Sequence, residues 1–176
     1  SFDIGFWIIP LCTLAFIATV NSVNLTDGLD GLAASVSFWY FASFSLLIFL
    51  LSNGRTGLSD LSLILCGVLA GYLIFNTNKA SVFMGDTGSL SLGGFAAAIG
   101  VFSGNALYIV IVGIMFVISS ISVIMQVIYY KRTKKRIFLM APLHHHFQKK
   151  GYSEGKIAYV YSLITAAAGL LCACFV

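Results

Sequence analysis

The amino-acid sequence predicts an all-α fold, a polytopic transmembrane helix bundle of about six spans. Three observations lead there. The 176 residues are 59% hydrophobic and only 9% charged, with a mean hydropathy of +0.97, which is far more apolar than a soluble domain. The apolar residues fall in runs long enough for helices to cross ~30 Å of hydrocarbon at ~20 residues each. The alternation of apolar and polar residues that a membrane barrel needs is missing. Backbone groups in lipid must bond internally, so helices are the default for such runs.

Polar punctuation divides the chain into spans near 7–23, 33–51, 58–75, 88–102, 106–130 and 156–175. The first follows directly on the opening "SFDIGFWIIP", which has neither an initiator Met nor a charged leader, so a piece of a longer chain is expected. The fourth is short and rich in small residues (Gly93, Gly94, Ala96, Ala97, Ala98, Gly100), which suits close packing inside a bundle more than contact with lipid. No linker or low-complexity tract interrupts the chain, and residues 1–176 are read as one transmembrane domain. Cys12, Cys66, Cys172 and Cys174 fall in or beside apolar spans and are expected to pack as ordinary thiols.

Six alternating spans place the loops near 24–32, 76–87 and 131–156 on one side. Those loops hold Lys79, Lys131, Arg132, Lys134, Lys135, Arg136, Lys149, Lys150 and Lys156, nine of the ten positive charges, and only Arg55 lies opposite. By the positive-inside rule that side is cytoplasmic. The net charge of +4 then reflects topology and anionic headgroups and gives no reason to invoke nucleic acid.

The same side collects the polar residues able to do chemistry. In "NSVNLTDGLDGLA", Asn24, Asp27 and Asp30 recur every third position and would stack on one side of a helical turn. Such a strip offers acceptors for ribose, base or hydrated Mg²⁺, and helix capping is the alternative. In "VFMGDTGSLSLGG", Asp86 precedes the fourth span, where free N–H groups and the positive helix end favour phosphate. Gly85 allows close approach. Asp86 supplies the hard oxygen that Mg²⁺ takes from a carboxylate when phosphate and water complete its shell, or else it caps the helix. Phe83 either anchors in the membrane interface or stacks on a base.

The third loop, "KRIFLMAPLHHHFQKKG", contains a helix of its own, with Pro142 at its start, Gly151 beyond its end, and Lys149 and Lys150 in its last turn. Successive helical residues diverge by ~100°, so His144, His145 and His146 cannot converge on one ion, which argues against zinc. Two of them can face a site as neutral or cationic groups near phosphate. Gln126 is a lone amide in the fifth span that needs a partner within the bundle.

"NLTDGLDGLA", "VFMGDTGSL" and "MAPLHHHF" resemble, in this order, the signature loops of the phospho-N-acetylmuramoyl-pentapeptide transferases. These belong to the polyprenyl-phosphate N-acetylhexosamine-1-phosphate transferase superfamily, and the six spans resemble the C-terminal part of that bundle. The resemblance implies transfer of phospho-N-acetylmuramoyl-pentapeptide from its UDP conjugate to undecaprenyl phosphate in a bacterial inner membrane, giving lipid I and UMP with Mg²⁺. A homodimer surrounded by membrane lipid goes with it. Asp86 is similar to the family's metal-binding aspartate. Phe83 is similar to its uracil-stacking aromatic, with Leu25, Asp30 and Asn76 beside the base and Gly85 in the substrate loop. Asn24 and Asp27 resemble the polar residues at the sugar-phosphate, Asp27 with a catalytic share. His144, His145 and His146 match the catalytic His motif, and Gln126 a polar substrate contact. The family's adjacent Asp pair followed by Lys does not occur in these residues and is expected upstream of Ser1. A GlcNAc-1-phosphate transferase and a cation transporter are the alternatives; the transporter would carry its carboxylates near the membrane midplane.

Overall fold

The computed structural model describes residues 5–77 and 79–176; the four opening residues and Asn78 of the second loop lie outside it. After a short 3₁₀ turn at Gly5–Trp7, the chain forms α1 (Ile8–Thr26), α2 (Leu32–Leu51), α3 (Gly57–Asn76), α4 (Gly85–Phe102), α5 (Ala106–Val112), α6 (Ile114–Thr133), α7 (Leu143–Lys149) and α8 (Glu154–Cys174). Among the described residues there is no strand. The helical bundle is the one that composition and apolar run length predict.

Two details differ from the sequence reading. The fifth span is broken at Gly113, whose N–H bonds to the Ile109 carbonyl and ends α5. A side chain there would run into the Ile109 carbonyl and crowd the Phe116 and Tyr40 rings. The apolarity on both sides is uniform, so nothing in the hydropathy marks the break. The second difference is in the count. Among the described residues five helices are long and apolar enough to cross a membrane: Gly5–Thr26, Leu32–Leu51, Gly57–Asn76, Ile114–Thr133 and Glu154–Cys174. Because Gly, Ser and an acid dilute its apolar residues, α4 is not among them. The chain is thus a multi-pass membrane protein in which α4 is a helix of the bundle without the hydropathy of a span.

The central helix is α2. Its Tyr40, Phe41, Phe44 and Leu47 are fully buried, and the Tyr40 ring packs against Phe44 and, from α6, Phe116. The Tyr40 hydroxyl donates to the Ala96 carbonyl of α4 at 3.0 Å, so the buried phenol is satisfied. Against α2 pack α3 and α8, and against α1 pack α4 and α6. Close approach rests on small residues. A Cβ on Gly93 would lie 2.6 Å from the Val20 Cα of α1, and one on Gly169 would meet the Ser43 side chain of α2. The outward faces of α1, α3 and α6 carry large exposed apolar residues such as Ile17, Val68 and Ile124, as lipid-facing helices do.

At one end of the bundle, α3 opens with a reciprocal capping box between Thr56 and Ser59, and Arg55 pairs with Asp60 at 3.1 Å. At the other end the three polar loops meet.

Candidate functional site

The first loop begins where α1 stops. Thr26 is the last helical residue and Asp27 is the C-cap, so Asn24, Asp27 and Asp30 do not form a helical strip. They gather instead because the chain turns back on itself: the Asp27 N–H returns to the Asn24 carbonyl, and Gly31 takes a left-handed conformation (φ +72°) to start α2. The α2 N-cap is Gly31, whose N–H donates to Asn76 Oδ1 at 3.0 Å, so neither aspartate caps α2.

The second loop locks onto the first. Asn76 also donates to the Val82 carbonyl at 2.8 Å, and the Ala80 N–H donates to Asp30 Oδ2 at 2.9 Å. Asn76 is therefore a buried brace that spends both ends of its amide on backbone. Beyond it, α4 starts at Gly85 in a positive-φ conformation, with Met84 at the N-cap making no side-chain cap. Asp86 sits inside the first turn. Its Oδ1 accepts from Asn24 Nδ2 at 2.9 Å, and the same amide lies 2.9 Å from the Ser89 hydroxyl one turn on. Asn24 thus ties the C-terminus of α1 to the N-terminus of α4. Ser89 went unnoticed in the sequence because its partner is 65 positions away.

Asp27 and Asp86 are neighbours across this junction. Burial raises the Asp27 pKa above its ordinary value, and the Asp86 charge raises it further. Two carboxylates that repel one another beside a helix N-terminus suit a divalent cation. Among the described residues no three His, Cys, Asp or Glu side chains converge as a ready-made metal cage. The donors therefore fit an ion that takes one or two carboxylates and completes its shell with substrate oxygens and water, as Mg²⁺ does.

Beside this pair opens a cleft of about 310 Å³ lined by Asp27, Gly28, Leu29, Asp30, Tyr72, Asn76, Phe83, Met84, Gly85 and Glu154. The Phe83 ring stands at its edge, 71% exposed and without an aromatic neighbour among the described residues. Leu25 is half-buried on α1 and does not line the cleft. Tyr72 and Glu154 do line it, and sequence reasoning named neither.

The third loop closes over Gly28. The three histidines of α7 do not converge: His144 and His145 lie ring to ring against Gly28, and His146 points elsewhere. His144 is fully buried, and neither ring nitrogen has a hydrogen-bond partner. Burial, with the neighbouring His145, pushes its pKa down to about 3, so it is neutral. His145 Nδ1 lies 2.9 Å from Gln148 Oε1. His146 faces away from the other two, and its Nδ1 accepts from the Leu139 N–H at 3.1 Å. A Cβ on Gly28 would lie 2.5 Å from His144 Nε2 and 2.9 Å from His145 Nε2, so only glycine lets the first loop touch both rings. Gln126 does not reach the cleft. Its Oε1 accepts from the Ile137 and Phe138 N–H groups and its Nε2 donates to the Phe138 carbonyl, which clips the segment between α6 and α7.

Residues 1–104 match the family described as glycosyl transferase family 4. The chain is 43% identical over 181 residues to a protein of Helicobacter pylori (strain Shi470) named phospho-N-acetylmuramoyl-pentapeptide-transferase, covering 96% of this chain and 50% of that protein. Proteins of the same name in Clostridium botulinum (strain Eklund 17B / Type B) and Helicobacter hepaticus are 45% and 44% identical. They cover 93% and 96% of this chain and 50% and 49% of their own length. The chain spans about half the length of the curated relatives it matches. The family match takes in more than half of the chain, including Asn24, the aspartates of the first two loops, Phe83 and the start of α4, and on that ground the chain belongs to glycosyl transferase family 4.

Proposed function

We propose that residues 1–176 form a single transmembrane domain of a longer phosphoglycosyl transferase. It acts in peptidoglycan synthesis at the cytoplasmic face of a bacterial inner membrane, moving phospho-N-acetylmuramoyl-pentapeptide from its UDP conjugate to undecaprenyl phosphate. The observation that carries this reading is the junction where Asn24 holds Asp86 in the first turn of α4 beside Asp27 and the open cleft. The names of the relatives support phospho-N-acetylmuramoyl-pentapeptide as the group transferred.

In this reading Phe83 stacks on the uracil at the cleft edge, with Asp30 nearby, and the first-turn N–H groups of α4 face the diphosphate. Asp86, with Asp27 at its side, would hold Mg²⁺, which when bound neutralises charge on the diphosphate. A phosphate oxygen of the lipid forms a bond to the β-phosphorus. The bond from that phosphorus to the bridging oxygen breaks, and the bridging oxygen leaves with the α-phosphate as UMP. A phosphate monoester is already nucleophilic near neutral pH, so no protein acyl-phosphate is invoked. His144, neutral and buried, and His145 pack against Gly28, which lines the cleft. A cation transporter is the weaker reading, since Asp27, Asp30 and Asp86 lie at helix ends and none lies at the middle of a span.

The test is Mg²⁺-dependent UMP release by the full-length parent chain in membranes, with UDP-N-acetylmuramoyl-pentapeptide against UDP-N-acetylglucosamine and unmodified protein against Asp86→Asn. Release from the muramoyl substrate alone, lost in the variant at equal expression, is expected. Full activity in the variant would refute the role of Asp86, and release from the GlcNAc conjugate would move the chain to the other branch of the superfamily.

A further inference from the structure

One chain of hydrogen bonds at the site involves residues to which the proposed reaction assigns nothing. Glu154, the only Glu of the sequence, opens α8 and lines the cleft. Its Oε2 accepts from the Asp30 N–H at 3.0 Å and its Oε1 accepts from Gln148 Nε2 at 2.9 Å. Gln148 in turn places Oε1 2.9 Å from His145 Nδ1. One carboxylate therefore joins α8 to α7 and to the first loop, and through Asp30 Oδ2 and the Ala80 N–H it reaches the second loop.

The chemistry fixes the direction of every bond in this chain. Both Glu154 oxygens receive N–H donors, so the Gln148 amide must turn its NH₂ toward Glu154 and its oxygen toward His145. An amide oxygen only accepts, so His145 Nδ1 must carry the proton. In the neutral ring Nε2 then has a free lone pair, and it is Nε2 that lies against Gly28 on the cleft wall. Its ring neighbour His144, 4.5 Å away between centroids, has no such holder.

We propose that Gln148 and Glu154 are positioning residues: together they hold His145 as its Nδ1–H tautomer, with the Nε2 lone pair turned to Gly28 of the cleft-lining first loop. The contribution to turnover rests on the proposed transferase reaction, whereas the tautomer does not. Neither residue touches reacting atoms in this account. They act through His145, as a carboxylate or amide behind a catalytic imidazole does elsewhere.

The experiment uses the full parent chain labelled with ¹⁵N-histidine in detergent, at a pH where the His145 ring is neutral, with its signal identified by its loss in His145→Gln. In the unmodified protein the His145 signal is expected to show a protonated Nδ1 and an unprotonated Nε2. Gln148→Leu removes the acceptor, and the signal should move toward the Nε2–H form while the His144 and His146 signals stay in place. The exchanged pair Gln148→Glu with Glu154→Gln keeps an acceptor toward His145, an amide donor toward that carboxylate and an oxygen for the Asp30 N–H, and should keep the Nδ1–H form. In UMP release, Gln148→Leu is expected to lower kcat about tenfold with little change in KM, and the exchanged pair to retain most of it. An Nε2–H tautomer in the unmodified protein, or an unchanged His145 signal in Gln148→Leu, would overturn the proposal. If the unmodified chain released no UMP, the transferase reading would fail while the spectra still decided the tautomer.

Discussion

Asp86 depends on a neutral amide. Asn24 donates to its Oδ1 and so leaves the other carboxylate oxygen for the Mg²⁺ of the proposed reaction. Asn24→Ala is expected to leave the protein folded but to raise the Mg²⁺ concentration that half-saturates UMP release by about tenfold, read from a metal titration. Gly28→Ala acts differently. Its added carbon would collide with both His144 and His145, so the loop or α7 must shift, with activity lost and stability lowered by about 1–3 kcal/mol in thermal unfolding. His144 brings a pH dependence. Its folded pKa near 3 lies below the ordinary 6.5, so between those values the unfolded chain binds the extra proton and stability falls as pH drops. His144→Gln, which cannot take up that proton, should flatten the acid side of the stability curve between about pH 6.5 and pH 3. Acids are so scarce in this chain that Asp27, Asp30 and Asp86 stood out in the sequence by type alone. Their partners did not, because Asn24 and Asp86 are 62 positions apart and only the packed helices bring them together. By the same scarcity Glu154 was visible as the only Glu, but nothing local to it points to a histidine in one direction and a backbone amide in the other.

The elements explain why such distant residues meet. Along α1 and α4 the backbones touch at Gly93 and Val20, which puts Asn24 level with the first turn of α4. Gly93→Val should therefore push the helices apart and lower activity at a position remote from the cleft. Circular dichroism is expected to show the helical content retained, with a lower melting temperature. On the opposite flank, Gln126 makes three bonds to the segment after α6, and Gln126→Ala should free it. Faster tryptic cleavage at Lys131–Arg136, compared by timed digestion, is the measurement. The helix ends were legible to within three residues, because each apolar run is bounded by Gly, Asn, Ser or charge. The break at Gly113 was hidden, since a glycine amid Ile and Val looks the same whether the helix passes through it or stops.

Across the whole molecule, the capped start of α3 with Arg55 lies at one end of the bundle and the three polar loops lie at the other. In a background lacking Cys12, Cys66, Cys172 and Cys174, a cysteine introduced at Ser52 and one at Ser153 should react with an impermeant maleimide from opposite faces of sealed vesicles, the latter from the cytoplasmic face. Labelling of both from one face would contradict the arrangement. The helix that carries Asp86 is also, among the described residues, the one long helix that falls short of the hydropathy of a span. It is seated on α1, which meets it at Val20 and Asn24. Assembly and site geometry then share one contact: a chain that fails to seat α4 on α1 has also failed to bring Asp86 to Asn24.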